Sequence, residues 1–92
     1  MRSTRFVVAG RVQGVGFRYF VSREAEALDL VGWVRNLPDG GVEVVAAGDD
    51  VAVNTLEGRL WTGPPRARVT TVTAAVTEPP TTSGFRILST RW

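Results

Sequence analysis

The spacing of apolar residues changes along the chain between the two-residue repeat of a β-strand and the longer repeat of an α-helix. Apolar and β-branched residues alternate over residues 5–12, which predicts a strand, and then recur at helical spacing over residues 17–28. Residues 38–41 read PDGG, a hairpin turn with Asp-Gly at its centre, so strands are predicted on either side of it, at residues 31–37 and 42–47. The first half of the chain therefore has the order strand, helix, strand, strand.

The second half adds another helix and further strands. Gly48, Asp49 and Asp50 supply an N-cap for a second helix, which the TGPP motif at residues 62–65 ends. The apolar stripe of this helix comprises Val53, Leu56, Leu60 and Trp61. Residues 68–76 read as a fourth strand with a break in apolar spacing that predicts a β-bulge, and FRILS at residues 85–89 predicts a short fifth strand. This order predicts an α+β, ferredoxin-like split β-α-β fold: an antiparallel sheet with both helices on one face.

Composition limits the possible chemistry. Ninety-two residues suit one small core, so we expect residues 1–92 to form a single domain. The chain has no cysteine and no histidine, which excludes disulfides, thiolate nucleophiles, Ser-His-Asp triads and metal sites built on Cys or His. The net charge of +2, carried by well-spread arginines, does not indicate a nucleic-acid partner. Neither a signal peptide nor a membrane-spanning segment is recognisable, so we expect a cytoplasmic protein.

Residues 13–18 read QGVGFR and lie between the first predicted strand and the first predicted helix. Glycine lets successive N–H groups turn towards one anion, and a following helix adds the positive end of its dipole. Arg18 adds a guanidinium that can donate hydrogen bonds to two oxygens of one anion. The segment matches neither a Walker loop nor a dinucleotide-binding motif. Two interpretations therefore stay open from the residues alone: a phosphate-binding loop, or a tight turn with Arg18 in a surface ion pair.

Asn36 lies at the end of the second predicted strand, just before the hairpin. An isolated asparagine in that position is most simply a turn residue, and residue spacing alone does not bring it near the glycine-rich loop. Its neighbour Arg35 is expected on the opposite face of the strand, because side chains alternate. The role of Asn36 stays open at this level.

Four blocks of the sequence form a recognisable pattern when they are taken together. Residues 10–20 read GRVQGVGFRYF, residues 32–48 read GWVRNLPDGGVEVVAAG, residues 63–69 read GPPRARV, and residues 85–87 read FRI. Together, and at this spacing, they resemble the acylphosphatase family over almost the whole chain. The resemblance implies hydrolysis of the carboxyl–phosphate bond of acyl phosphates, without cofactor or metal. One departure is Leu28-Asp29-Leu30, where the family commonly has Leu-Gly-Leu in a helix-ending turn.

The resemblance also implies roles for individual residues. It makes Arg18 the phosphate-binding arginine and Asn36 the residue that positions the attacking water. The implied phosphate-binding loop consists of Gln13, Gly14, Val15, Gly16, Phe17 and Arg18. Such a site needs no histidine, because a carboxylate departs without a proton and the loose transition state of phosphoryl transfer gains little from a strong base. The expected reaction is in-line attack of water on a small-molecule acyl phosphate, which yields a carboxylate and inorganic phosphate.

Two other functions occur with folds of this kind. RNA-recognition modules of similar fold stack bases on aromatic residues of the sheet, and the third predicted strand, VEVVAA, has none. The alternative that remains is a module that binds anions, acyl phosphates or carbamoyl phosphate without significant turnover. The presence of both Arg18 and Asn36 favours the enzyme. We expect a monomer that binds neither nucleic acid nor membrane.

Overall fold

The structure is a computed structural model that describes residues 1–90. Within those residues it has the elements, and the order, that the sequence predicts. The elements are β1 (Arg2–Arg11), α1 (Phe17–Ala27), β2 (Val31–Asn36), β3 (Val42–Gly48), α2 (Asp50–Thr62), β4 (Arg68–Val76) and β5 (Phe85–Ile87). The expected α+β, ferredoxin-like arrangement is confirmed.

The five strands form one sheet in the order β4-β1-β3-β2-β5. The first four pair antiparallel, whereas β5 runs parallel to β2 at the edge. Phe6 and Val8 of β1, Val34 of β2 and Val44 of β3 are fully buried on one face of the sheet. Apolar side chains of both helices belong to the same buried cluster. The core therefore lies between this face and the two helices, and the other face is open.

The predicted bulge lies in β4. Ala9 and Gly10 are consecutive in β1, yet they pair with Thr71 and Val69, so Thr70 is an extra residue without a partner in β1. An extra residue shifts the two-residue alternation by one position. This confirms the bulge that the broken apolar spacing of the segment predicted.

The second helix buries most of its predicted stripe. Val53, Leu56 and Leu60 are fully buried, but Trp61, which was expected to join them, is 48% exposed. Trp61 directly follows Leu60, so it lies about 100° further round the helix and turns away from the sheet. Neither α1 nor α2, the two helices found within residues 1–90, has the length and apolar character needed to cross a bilayer.

The turn after α1 contains the residue that departs from the family pattern. Asp29 has a φ of 57° and is the one non-glycine residue of the described part of the chain with a positive φ. The turn is closed by a hydrogen bond from the Leu30 N–H to the Ala25 carbonyl (2.9 Å). The left-handed conformation is less favourable for aspartate than for glycine. The departure therefore adds local strain to this turn.

The open face of the sheet carries a buried carboxylate. Glu43 is only 3% exposed. Arg5 Nε donates to its Oε2 (2.5 Å) and Arg35 Nε to its Oε1 (2.7 Å). Burial alone raises the pKa of Glu43, but the hydrogen bonds and charges of the two arginines outweigh it and hold the pKa below the usual value. Arg35 also lies over the ring of Trp33, 4.5 Å from its centroid. As alternation predicted, Arg35 is thus on the face opposite Asn36.

Candidate active site

A cavity of about 220 Å³ opens where β1 leads into α1, beside the end of β2. Its lining residues are Val12, Gly14, Gly16, Phe17, Arg18, Tyr19, Asn36 and Ile87. Four residues predicted from the sequence for the phosphate-binding loop, and Asn36, thus face one space. The other two loop residues, Gln13 and Val15, are not among the lining residues.

The loop before α1 presents free backbone N–H groups. Gly14 (φ 73°) and Gly16 (φ 79°) adopt left-handed conformations, which glycine accepts without strain. The first hydrogen bond of α1 runs from the Phe20 N–H to the Gly16 carbonyl (3.0 Å). Within residues 1–90, no backbone carbonyl and no capping side chain accepts a hydrogen bond from the N–H groups of residues 14–19. Consecutive free donors at a helix N-terminus are well suited to bind an anion.

Val15 fixes the loop to the core. Only 9% of its surface is exposed, and it belongs to the same apolar cluster as Val12 and Phe17. Gly14 and Gly16, on either side of it, are exposed and line the cavity. With Val15 anchored inwards, the backbone on both sides of it faces the open space.

Arg18 is held by a residue 70 positions later in the chain. Its Nη1 donates to the Leu88 carbonyl (3.1 Å), and the Leu88 N–H donates to the Val34 carbonyl of β2 (2.9 Å). No carboxylate within residues 1–90 forms an ion pair with Arg18, so the surface ion pair considered above is not observed. Arg18 is instead one of the residues that line the cavity. Sequence reasoning missed Leu88, because a main-chain carbonyl leaves no signal in the residue type.

Gln13 connects the loop to the β2–β3 hairpin. Its Nε2 donates to the Leu37 carbonyl and to the Gly41 carbonyl, both at 2.8 Å. Leu37 directly follows Asn36, so this bond connects the predicted phosphate-binding loop to the strand end that carries Asn36. The sequence predicts a role only for the backbone of Gln13. A polar side chain between a strand and a glycine is the feature of the sequence that could have indicated this bonding role.

Asn36 is the last residue of β2 and shares a face with the buried Val34, because side chains two apart in a strand point the same way. Its side chain is partly exposed at the cavity. In the described part of the chain, its carboxamide makes no hydrogen bond to another protein group. The amide is therefore free to bind a water molecule or a substrate oxygen.

The rim of the cavity carries a tyrosine and an isoleucine. Tyr19 is 60% exposed and Ile87 is 45% exposed. Arg23, one turn further along α1, donates from Nη1 to the Tyr19 hydroxyl (3.3 Å), and its Cζ lies 5.6 Å from the centre of the tyrosine ring. The hydrogen bond to Tyr19 raises the pKa of Arg23 above its ordinary value. Arg23 thus makes two contacts with the tyrosine at the cavity mouth.

The charge at the cavity is positive. No acidic side chain is among its lining residues, and the groups that face it are a guanidinium and backbone N–H donors at a helix N-terminus. Nowhere in residues 1–90 do three acidic, histidine or cysteine side chains gather closely enough to hold a metal ion. The arrangement is electrostatically complementary to a small, multiply charged anion.

Comparisons with known proteins agree with one another. The acylphosphatase family model matches residues 4–87. An acylphosphatase of Thermococcus kodakarensis is 53% identical over 81 residues, which cover 88% of this chain and 89% of that protein. One of Xanthomonas euvesicatoria is 51% identical over 85 residues, which cover 92% and 97%. The crystal structure of an acylphosphatase from Bacillus subtilis superimposes with a TM-score of 0.91 at 39% identity, covering 96% of this chain and 99% of that one.

Proposed function

The chain belongs to the acylphosphatase family, and from this premise we propose that the cavity at the start of α1 is its active site. The enzyme hydrolyses the anhydride bond of an acyl phosphate to a carboxylate and inorganic phosphate. In our proposal, Arg18 and the N–H groups of the loop bind the phosphoryl group, and Asn36 positions the water. The single observation that carries it is that Arg18, Asn36 and the unbonded loop share one cavity.

The reaction makes modest demands on the protein. The leaving carboxylate is a weak base and needs no proton. The transition state of phosphoryl transfer is loose and metaphosphate-like, so a strong base acting on the water adds little. What lowers the barrier is a fixed positive environment around the phosphoryl oxygens and a water held in line with the bond that breaks. Both can be supplied by N–H groups, a guanidinium and a carboxamide.

Arg18 supplies the fixed charge in this mechanism. Its bond to Leu88 uses one N–H of Nη1, which leaves further N–H groups of the fork for two phosphoryl oxygens. The loop amides, which lack protein acceptors, bind the remaining oxygens at the positive end of α1. These donors are held in position before the substrate arrives, so no reorganisation is needed as charge develops.

Asn36 acts on the water. Its carboxamide has both a donor and an acceptor and makes no bond to another protein group in the described part of the chain. A water bound to it attacks phosphorus from the side opposite the leaving carboxylate. The proton then passes to a phosphoryl oxygen or to bulk water as the new P–O bond forms, and the C–O–P bridge breaks at the P–O bond.

The proposal is tested by steady-state hydrolysis of benzoyl phosphate. Arg18→Ala should lower turnover by roughly 10²-fold or more, the scale for removing a preorganised charge-stabilising group. Asn36→Ala should lower kcat with a smaller effect on competitive inhibition by inorganic phosphate, because the water is held in the transition state. Matched controls are Arg66→Ala and Asn54→Ala, since both residues are exposed and neither is at the cavity. An Asn36→Ala enzyme with the wild-type kcat would contradict the assigned role.

The alternative is a domain that binds acyl phosphates or carbamoyl phosphate without significant turnover. The N–H groups of the loop would bind the phosphate of its ligand in the same way, but such a module has no need for a free carboxamide beside them. Steady-state rates on acetyl, carbamoyl and benzoyl phosphate separate the two. Turnover of none of them, together with binding of inorganic phosphate, would favour the binding module.

We also propose that the enzyme works as a cytoplasmic monomer with no nucleic-acid partner. Arg18 and Gln13 are held in place by hydrogen bonds within the chain, to the carbonyls of Leu88, Leu37 and Gly41. On the open sheet face, Trp33 is stacked under Arg35, and the central strand β3 presents Glu43 rather than aromatic residues. Light scattering, cell fractionation and an RNA titration over a range of salt concentrations test these three points.

A further inference from the structure

The end of β2 that carries Asn36 has a strand beside it on one side only. Asn36 pairs with Val42 of β3. On the opposite side, the pairing with β5 covers residues 32–34 of β2, and within residues 1–90 it does not extend to residues 35 and 36. Strand ends with few backbone partners open more readily than the middle of a sheet. Because a misplacement of about 1 Å is enough to slow a reaction, we expect further contacts to support this strand end.

Arg35 makes such contacts on the opposite face of the sheet. It precedes Asn36 in β2 and pairs directly with Glu43 of β3. Its Nε donates to Glu43 Oε1 (2.7 Å), and its Cζ lies 4.5 Å from the centre of the Trp33 ring. The side chain is only 25% exposed, so water screens this ion pair less than a fully exposed one. A planar guanidinium with a carboxylate and a ring as partners has restricted freedom, and this restrains the backbone next to Asn36.

Glu43 is itself held in place by a second arginine. Only 3% of its surface is exposed, and Arg5 Nε of β1 donates to its Oε2 (2.5 Å). The ion group formed by Arg5, Glu43 and Arg35 thus connects β1, β3 and β2, which are neighbours in the sheet. In β2, this ion group lies one residue before Asn36. The buried carboxylate is therefore a fixed point to which the end of β2 is attached.

Arg35 cannot touch the substrate from this position. It is not among the residues that line the cavity, because neighbouring side chains in a strand point to opposite faces. An effect of Arg35 on the reaction must pass through the backbone of β2 or through the field of its charge. The two routes differ in kinetics, since a displaced Asn36 impairs the placement of the water and lowers kcat, whereas a lost positive charge weakens the binding of phosphate.

We propose that Arg35 is a positioning residue for the hydrolysis of acyl phosphates: bonded to Glu43, it fixes the end of β2 so that the Asn36 carboxamide holds the attacking water in line. This rests on the proposed function, because the position of Asn36 matters only if Asn36 holds the water. The ion group on the open face of the sheet thereby contributes to the reaction on the other face. Of the two arginines that bind Glu43, only the one in β2 adjoins Asn36.

The test compares two variants that each remove one arginine from Glu43, at a temperature where both are folded. Methionine keeps a long unbranched side chain without the guanidinium, and Glu43 retains its other arginine in each variant. Arg35→Met should lower kcat for benzoyl phosphate by roughly 10-fold and change the inhibition constant of inorganic phosphate by less than about twofold. The matched control, Arg5→Met, should leave both constants near the wild-type values. Arg35→Lys keeps the charge but not the planar fork, so its kcat should fall by a smaller factor.

A double-mutant cycle tests whether Arg35 acts through Asn36. In an Asn36→Ala enzyme the carboxamide that Arg35 positions is absent, so adding Arg35→Met should cause no further loss of kcat. Losses that multiply in the double variant would mean that the two residues act independently, and would contradict the proposal.

The remaining outcomes separate this inference from the proposed function. A wild-type protein that hydrolyses no acyl phosphate would overturn the proposed function. An Asn36→Ala enzyme with reduced kcat, together with an Arg35→Met enzyme at the wild-type kcat, would overturn the positioning role alone. Equal losses of kcat in Arg35→Met and Arg5→Met would also overturn it, because they indicate a general loosening of the sheet. A weaker inhibition by phosphate in Arg35→Met, at unchanged kcat, would show that Arg35 acts through its charge.

Melting temperatures show whether the variants are folded. The side chains of Arg5 and Arg35 are 41% and 25% exposed, and each variant keeps one ion pair with Glu43, so folded proteins are expected. Should Arg35→Met fail to fold, Arg35→Lys and Arg5→Lys provide the same comparison, with a loss of kcat expected at position 35 only. Equal kcat values in these two lysine variants would then overturn the positioning role.

Discussion

Gln13 is predicted to couple the phosphate loop to the hairpin that carries Asn36, and Gln13→Met tests this. Methionine has nearly the length of glutamine but no N–H donors, so the change removes both 2.8 Å bonds to the Leu37 and Gly41 carbonyls. Each of these carbonyls keeps a second donor: Gly40 N–H for Leu37 (3.2 Å) and Leu37 N–H for Gly41 (2.9 Å). Neither oxygen is left without a partner.

The cost in stability follows from this count. A net contribution of about 0.5–1.5 kcal/mol for each bond, without a penalty for an orphaned carbonyl, sums to about 1–3 kcal/mol lost from the free energy of unfolding. In a domain of this size, each kcal/mol lowers the melting temperature by roughly 4–8 °C. Urea denaturation at pH 7 measures the loss directly.

The effect on catalysis should exceed what stability alone explains. Without Gln13, the two side-chain bonds between the loop and the hairpin are lost, and a misplacement of about 1 Å can cost 10²-fold in rate. We expect kcat for benzoyl phosphate to fall by roughly 10-fold or more at a temperature where the variant is fully folded. Inhibition by inorganic phosphate should change less, because the loop amides and Arg18 remain next to one another in sequence.

A matched control isolates coupling from stability. Thr82→Val removes another side-chain bond to a distant carbonyl, from Thr82 Oγ1 to Gly32 (3.1 Å), without contact with the loop. It should lower stability but leave kcat near the wild-type value. The coupling role of Gln13 would be refuted if Gln13→Met lost stability yet kept kcat within twofold of the wild type.

Two further predictions concern the fold. The pKa of Glu43 is lowered in the folded protein, so its bonds to Arg5 and Arg35 stabilise the fold at pH values above its unfolded pKa of about 4.3. This contribution to stability is lost as the pH falls from that value through the lower pKa of the folded state. Glu43→Gln should therefore lower the free energy of unfolding by about 1.5–3 kcal/mol at neutral pH. The free energy of unfolding of the variant should also fall less than that of the wild type between pH 7 and pH 3, as measured by urea denaturation. An equal fall in both proteins would argue against Glu43 as the source of the acid sensitivity. Asp29→Gly should raise the free energy of unfolding by about 0.5–1 kcal/mol, because glycine relieves the positive φ, while Asp29→Ala should not; a destabilised Asp29→Gly variant would mean that the carboxylate, not the backbone, matters there.

The features that the sequence predicted well are those set by local patterns. The order of elements follows from apolar periodicity, and the bulge at Thr70 follows from a break in it. Gly14 and Gly16 signalled the loop because few other residues take a positive φ without strain. The prediction that Trp61 is buried was wrong because it was based on residue type, whereas the buried face of α2 includes Leu60 and not the residue after it.

The features that escaped prediction depend on the tertiary fold. The parallel pairing of β5 with β2 brings Leu88 to Arg18, and nothing in the residues at either position indicates that meeting. Burial of Glu43 between two arginines likewise requires the register of β1, β2 and β3, which pairs Glu43 with Val7 and Arg35. The long-range bond of Gln13 is of the same kind. The assembly of the site from distant segments thus depends on the order of the strands in the sheet and not on any single motif.

Three of the oxygens that join these pieces belong to the main chain, at Leu37, Gly41 and Leu88. Every amino acid carries the same carbonyl, so the bond to Arg18 places little demand on which side chain occupies position 88. During evolution, we expect substitutions to accumulate there freely while the two donors, Gln13 and Arg18, are retained. The segment after β5 can therefore diversify between species without altering the chemistry it supports.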